Sequence, residues 1–239
     1  MGANTNRGRL AGLLWLLTTV TGGFGLFYVR SRVIVPGDAA ATAANIIGSE
    51  PLYRAAIVSS LVSQVLQFFL GLTLFELFKE VNKRLATVVL ASVLMSVGIA
   101  VVNMLHHFGA LLLLSHAEFL KVFAPAQLEA TALVLLRLAN GAGQGLLEIF
   151  WAPYYVAFGL LVVRSRLLPK VLGVLLMLMG AGFAVNILQK FLVPQLSPGM
   201  FTQLAMTLGA LGGVPTMLWL LIKGAKAPGP VPQKQAAGR

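Results

Sequence analysis

The sequence predicts an all-α polytopic membrane protein: a six-transmembrane-helix bundle with a short extracytoplasmic helix in its first loop. Three observations predict it. Hydrophobic residues make up 58% of the 239 and charged residues only 10%, and the mean hydropathy is +0.86, so an ordinary soluble domain would leave its apolar surface in water. Six apolar stretches follow one another, each of the roughly 20 residues that a helix needs to cross hydrocarbon. The 18 basic residues divide unevenly between the two sets of helix ends. The chain has no cysteine, which excludes disulfides, thiol catalysis and thiolate metal sites.

Residues 1–9 are polar, carry Arg7 and Arg9, and read as a cytoplasmic N-terminus. The first span is 10–29; it is long for a signal peptide, and Tyr28-Val29-Arg30-Ser31-Arg32 is a poor small-residue cleavage site. In the connection 30–53, Pro36-Gly37 makes a turn, Asp38 is placed to cap a helix, and residues 39–47 are rich in helix formers. Span two, 55–78, carries Ser60, Ser63, Gln64 and Gln67 along one side, and Lys79, Lys83 and Arg84 close it. Span three, 86–114, is apolar apart from Ser92, Ser96, Asn103 and the pair His106-His107. A short loop with His116, Glu118, Lys121 and Pro125 follows.

Residues 128–163 would make a helix of about 54 Å if unbroken, too long for one ordinary span. The expected break is at Asn140-Gly141-Ala142-Gly143-Gln144-Gly145, where three glycines fall within five residues. That leaves an outer amphipathic segment at 126–139 and span four at 143–163, with Pro153 as a second place to kink. After the basic turn of Arg164, Arg166, Pro169 and Lys170 comes span five, 171–191, then a loop at 194–198 and span six, 201–222, with Pro215 inside it. The membrane domain is thus 10–222, and the Pro-, Gly- and Lys-rich tail 223–239 is expected to be disordered and cytoplasmic.

One set of helix ends holds twelve basic residues, from Arg7, Arg9, Lys79, Lys83 and Arg84 through Arg164, Arg166 and Lys170 to the tail; the other holds Arg30, Arg32, Arg54, Lys121, Arg137 and Lys190. The richer set faces the cytoplasm, with both termini inside. The net charge of +11 is then explained by orientation. No basic face with interleaved aromatics is left over, so nucleic acid is not an expected partner.

The chemistry concentrates in 137–155. Asn140, Gln144 and Glu148 recur at i, i+4 and i+8 and stack into one polar stripe, with Arg137 a turn earlier. An acid and an arginine within an apolar span are costly there and normally face a protein interior or a wet cavity. Counted from the cytoplasmic ends, Glu148, Asn186 and Asn103 all lie about 22–26 Å up, and Gln64 and Gln67 come down to just beneath that level. These residues and Gln144 are expected to line a polar pocket in the outer half of the membrane. Arg137 and His106 or His107 would stand at its mouth, and Trp151 and Tyr155 would form its floor.

At Val35-Pro36-Gly37-Asp38-Ala39 through Thr42 and Asn45, with Ser49-Glu50 and Arg54 following, the chain resembles a family of small bacterial membrane proteins with domain of unknown function 4386. Val81-Asn82-Lys83, the run 108–114, Ile149-Phe150-Trp151 and Leu168-Pro169-Lys170 are similar to that family too. The resemblance covers roughly residues 8–195. It implies a six-span protein of the bacterial cytoplasmic (inner) membrane with a structured outer loop, and no established activity. Members often carry a histidine where this chain has Ala139, so a role of that histidine does not transfer.

The pocket reading makes Glu148 the ionisable centre of a site that binds or passes a small or lipid-like molecule. Two other readings stay open: an intramembrane enzyme using Glu148 with His106 or His107 as acid and base, and a structural or regulatory partner whose stripe is only a helix interface, since Asn, Gln and Ser commonly join membrane helices at about 0.6–2 kcal/mol per bond. Adjacent His106 and His107 point about 100° apart and cannot both grip one ion; His116 and Glu118 are close enough in the loop to assist one of them. There is no HExxH, phosphate loop, GxSxG elbow or catalytic carboxylate pair. No metal or cofactor is expected, no catalytic residue is assigned, and the expected surroundings are the lipid bilayer, with no oligomeric state assigned.

Overall fold

The computed structural model describes residues 3–115, 117–165, 167–193 and 198–225, and among these every regular element is helical. His116, Arg166, the 194–197 part of the fifth connection and the 226–239 tail lie outside the described residues.

Helix α1, Ala3–Gly23, begins before the expected span, so the polar residues 3–9 are helical. It continues through a π-helical turn, Phe24–Val29, into α2, Arg30–Val33. The arginines at 30 and 32 therefore extend the first helix rather than open a loop, and Arg32 lies 4.6 Å from the centre of the Tyr28 ring, a cation on an aromatic face. Gly37, at φ +84°, makes the turn into α3, Ala39–Gly48. The Asp38 carboxylate caps α3 by accepting from the Ala41 N–H at 2.8 Å, and the Thr42 hydroxyl ties the turn down by donating to Asp38 O at 2.7 Å.

Next come α4, Glu50–Phe78, α5, Lys83–Leu113, and α6, Pro125–Leu138. The three-glycine stretch does not stop the helix. It becomes a π-helical turn, Ala139–Gly143, and α7, Gln144–Ser165, continues beyond it with Pro153 inside. The rod from Pro125 to Ser165 is 41 residues, about 61 Å, so it projects past the hydrocarbon or tilts. Helices α8, Lys170–Leu192, and α9, Pro198–Lys223, complete the chain. Gly224, at φ +67°, ends α9 with its N–H on Leu220 O at 2.9 Å.

Among the described residues, four helices are long and apolar enough to cross a membrane: Glu50–Phe78, Lys83–Leu113, Pro125–Ser165 and Lys170–Leu192. The chain is a multi-pass membrane protein. Its long helices pack in cyclic order, α1 on α4, α4 on α5, α5 on α7, α7 on α8, α8 on α9, and α9 back on α1. Glycine allows close approach at the α1–α9 and α7–α8 crossings. A side chain at Gly12 would strike the Leu221 backbone of α9, and one at Gly159 of α7 would strike the Gly173 carbonyl of α8.

Among the described residues, two cores stabilise the ring at different heights. The larger, around Leu70, Leu74, Phe78, Val93, Phe158, Leu161, Leu176 and Leu220, fills the end where α1 begins and α9 finishes. Phe158 organises it, with its ring centre 5.6 Å from that of Phe78 and 6.0 Å from that of Trp15. The smaller core, around Val33, Ala43, Ile46, Ile57, Leu111, Ala132 and Leu136, lies at the opposite end, where α3 packs on α6. Between the two the packing is incomplete.

Candidate functional site

The gap is a chamber of about 310 Å³ among α1, α4, α5 and α7. Helix α4 contributes Ser60, Ser63, Gln64 and Gln67; α5 contributes Ser96, Ala100 and Asn103; α7 contributes Gln144, Leu147, Trp151, Tyr154 and Tyr155. Trp15, Thr18 and Gly22 of α1 complete the wall. On both α4 and α7 the lining positions recur every three or four residues, which gathers them on one helix face. Against the larger core the floor is aromatic: Tyr154 stands edge-on to Tyr155 at 4.5 Å between ring centres and reaches Phe158 at 6.0 Å. Outside it, the Phe183 ring of α8 packs against Trp151 and Tyr155.

A narrower pocket of about 80 Å³ abuts the chamber along Ser60, Asn103, Met104 and Gln144 and leads toward the α3–α6 end. Arg30, Tyr53, His107, Ala139 and Asn140 line it. Buried Tyr53 shares a 2.8 Å hydrogen bond between its hydroxyl and His107 Nδ1. Arg30 lines this pocket while the residue as a whole remains exposed, and an arginine stays charged in such a place.

Where chamber and pocket meet, Asn103 is buried and donates through Nδ2 to the Ala139 carbonyl at 3.0 Å. Its partner lies in the π-helical turn, where the helix ladder is irregular and its carbonyls are open to such a donor. Gly143 makes room, because a Cβ there would fall on the Asn103 amide. Among the described residues, Asn103 Oδ1 and Thr18 Oγ1 are buried on this lining without a hydrogen-bond partner. Buried polar atoms rarely stay so; Asn103 Oδ1 lies against Gly143.

The polar stripe of α7 divides between two neighbourhoods. Asn140 and Gln144 line cavities, although Asn140 also turns back to donate to Leu136 O at 2.7 Å. Glu148 lines neither cavity and faces α8 instead. Its Oε2 accepts from Asn186 Nδ2 at 2.6 Å and its Oε1 from Lys190 Nζ at 3.0 Å. The carboxylate is 8% exposed and the lysine side chain 31%, so the pair is an inward charge held from the rim. In the sequence Lys190 counts among the outer basic residues; its offset from Asn186 by one helical turn, the same spacing that builds the α7 stripe, is the signal of this contact.

The structure therefore brings Gln64, Gln67, Asn103, Gln144, Trp151 and Tyr155 to the chamber, and Asn140 and His107 to the pocket beside it. Glu148 and Asn186 meet each other outside both. Arg137 is exposed at the end of α6, and His106 binds its own helix through Nδ1 and Asn103 O at 3.2 Å. Arg30, Tyr53 and Thr18 also line these cavities, although in the sequence they fall on a connection or on plain span. Among the described residues no group of three or more His, Asp or Glu comes together to hold a metal ion.

A protein-family model described as Domain of unknown function (DUF4386) matches residues 10–224. No curated protein and no solved structure matches the chain.

Proposed function

The chain belongs to the family of the domain of unknown function DUF4386, and from that premise we propose that it binds or passes a small amphipathic molecule in the chamber among α1, α4, α5 and α7. The observation that carries this reading is the chamber itself, about 310 Å³, within the usual size of small-molecule sites. Its walls offer amides and hydroxyls over an aromatic floor. A helix interface alone would favour closing such a space by packing.

In this reading the spans are α1, α4, α5, the α6–α7 rod, α8 and α9, with both termini in the cytoplasm, α3 on the outer side and the whole in a bacterial inner membrane. The meeting of Thr5 with Ala225 O at 3.3 Å and of Arg9 with Ile222 O at 3.3 Å supports a common side for the two ends of the chain. Lys79, Lys83, Arg84, Arg164 and Lys170 belong to the same end of the ring, the side expected to face the cytoplasm. Glu148 acts here by fixing α7 against α8 through Asn186 and Lys190, which sets where Gln144 and Trp151 stand.

The test is native mass spectrometry of the protein purified from its membrane, beside an Ala100→Phe variant that puts a ring into the void. A small molecule released from the wild type and missing from a folded Ala100→Phe protein is the expected result. Equal adducts on both proteins, or none on either, would overturn the reading.

A further inference from the structure

Resting on the chamber reading above, we infer that the ligand is an amphipathic anion: its oxyanion group bound by Arg30 in the narrow pocket, and its apolar body in the chamber against Trp151, Tyr154 and Tyr155. Arg30 is the one formally charged side chain lining either cavity among the described residues. Among the described residues neither cavity has a carboxylate in its lining. A cation in the narrow pocket beside a neutral, aromatic-floored chamber selects negative charge.

The basic and acidic groups nearby in the chain are already engaged. Arg32 lies over the Tyr28 ring, Arg54 pairs with Glu50 at 2.7 Å, and Asp38 caps α3. Among the described residues no carboxylate makes an ion pair with Arg30. The guanidinium presents a planar fork of donors that suits a carboxylate or a phosphate ester equally. The Tyr53 hydroxyl and the His107 imidazole line the same pocket; with one of their two protons spent on the bond between them, the pair keeps one donor for the second oxygen of such a group.

Geometry orders the two halves of the ligand. The pocket of about 80 Å³ holds a headgroup and little else, while the chamber of about 310 Å³ takes a single apolar body. Their common walls are Ser60, Asn103, Met104 and Gln144. Asn103 and Gln144 thus stand where a molecule changes from polar to apolar. Two sources supply this chemistry: a free single-chain acid, or an anionic phospholipid that lays part of one chain in the chamber.

The experiment uses the full-length protein in phosphatidylcholine nanodiscs and reads the saturable quenching of tryptophan fluorescence, since Trp15 and Trp151 line the chamber. The probes are a terminally brominated undecanoate and the corresponding brominated undecanol. Wild type is expected to bind the acid at least about tenfold more tightly than the alcohol, as one charge-assisted contact predicts. Arg30→Gln should remove that preference and leave the alcohol's affinity unchanged, Arg30→Lys should keep most of it, and Arg32→Gln should keep all of it.

Equal affinity for acid and alcohol, or a preference that survives Arg30→Gln, overturns the inference and leaves the chamber reading standing. Absence of saturable quenching by either probe overturns both. Phosphatidylglycerol in the nanodisc that displaces the brominated acid from wild type but not from Arg30→Gln identifies a lipid headgroup as the source. Unchanged acid binding in its presence identifies a free acid.

Discussion

Glu148 of α7 and Lys190 of α8 meet at 3.0 Å with unequal burial, the carboxylate 8% exposed and the lysine side chain 31%. The two ends of this ion pair are therefore not equivalent. Lys190→Met strands an acid inside the bundle and should cost about 3–5 kcal/mol. Glu148→Gln leaves a lysine that reaches water along its own stem, and should cost clearly less. The double variant should be more stable than Lys190→Met alone. Thermal unfolding of the three purified proteins in one detergent checks the order, and a Glu148→Gln protein less stable than Lys190→Met contradicts it.

The π-helical turn supplies a second test. Gly143→Ala places a methyl group on the Asn103 amide, whereas a side chain at Gly141 meets nothing within 4 Å. The first substitution should cost about 1–3 kcal/mol by overpacking and break the Asn103 bond to Ala139. Gly141→Ala should be neutral or slightly stabilising. Paired melting curves decide, and equal stability of the two variants would show that the Asn103 contact contributes little.

Helices α7 and α8 approach through Gly159 and Gly173. Gly159→Val should force them apart, lowering the melting temperature and loosening the Glu148–Lys190 contact together. A folded Gly159→Val protein of wild-type stability would argue against so close a crossing.

Because the chain contains no cysteine, a single introduced thiol reads its side of the membrane without background. Ala44→Cys, on the exposed face of α3, should react with a membrane-impermeant maleimide in intact cells. Lys83→Cys, exposed at the start of α5, should react only after the membrane is opened. The reverse pattern would invert the proposed topology.

Helix positions were legible because hydrocarbon thickness and backbone hydrogen bonding leave a 20-residue apolar run few alternatives (about 30 Å to cross). Asp38 as the cap of α3 and the glycine-rich irregularity before Gln144 were legible too, since each rests on local backbone chemistry. Neighbour choice was not. Lipid tails are as apolar as leucine, so periodicity does not say which face of α8 meets α7, and the contact of Glu148 with Lys190, 42 residues apart, leaves no mark in either segment alone. The same limit explains Arg30 and Tyr53: their partners come from α5 and from the π-helical turn, and only the packed ring brings them together.

The ring closes where α9 meets α1, with Gly12 of the first helix against Leu221 of the last. In the proposed six-span arrangement, α1 must wait in the bilayer during synthesis for α9 before it gains that neighbour. Trp15 and Thr18, which form one wall of the chamber, belong to that waiting helix. A ribosome that stalls before the closing segment would leave an open arc, exposing to lipid, or to quality-control proteases, a surface that the finished protein keeps covered.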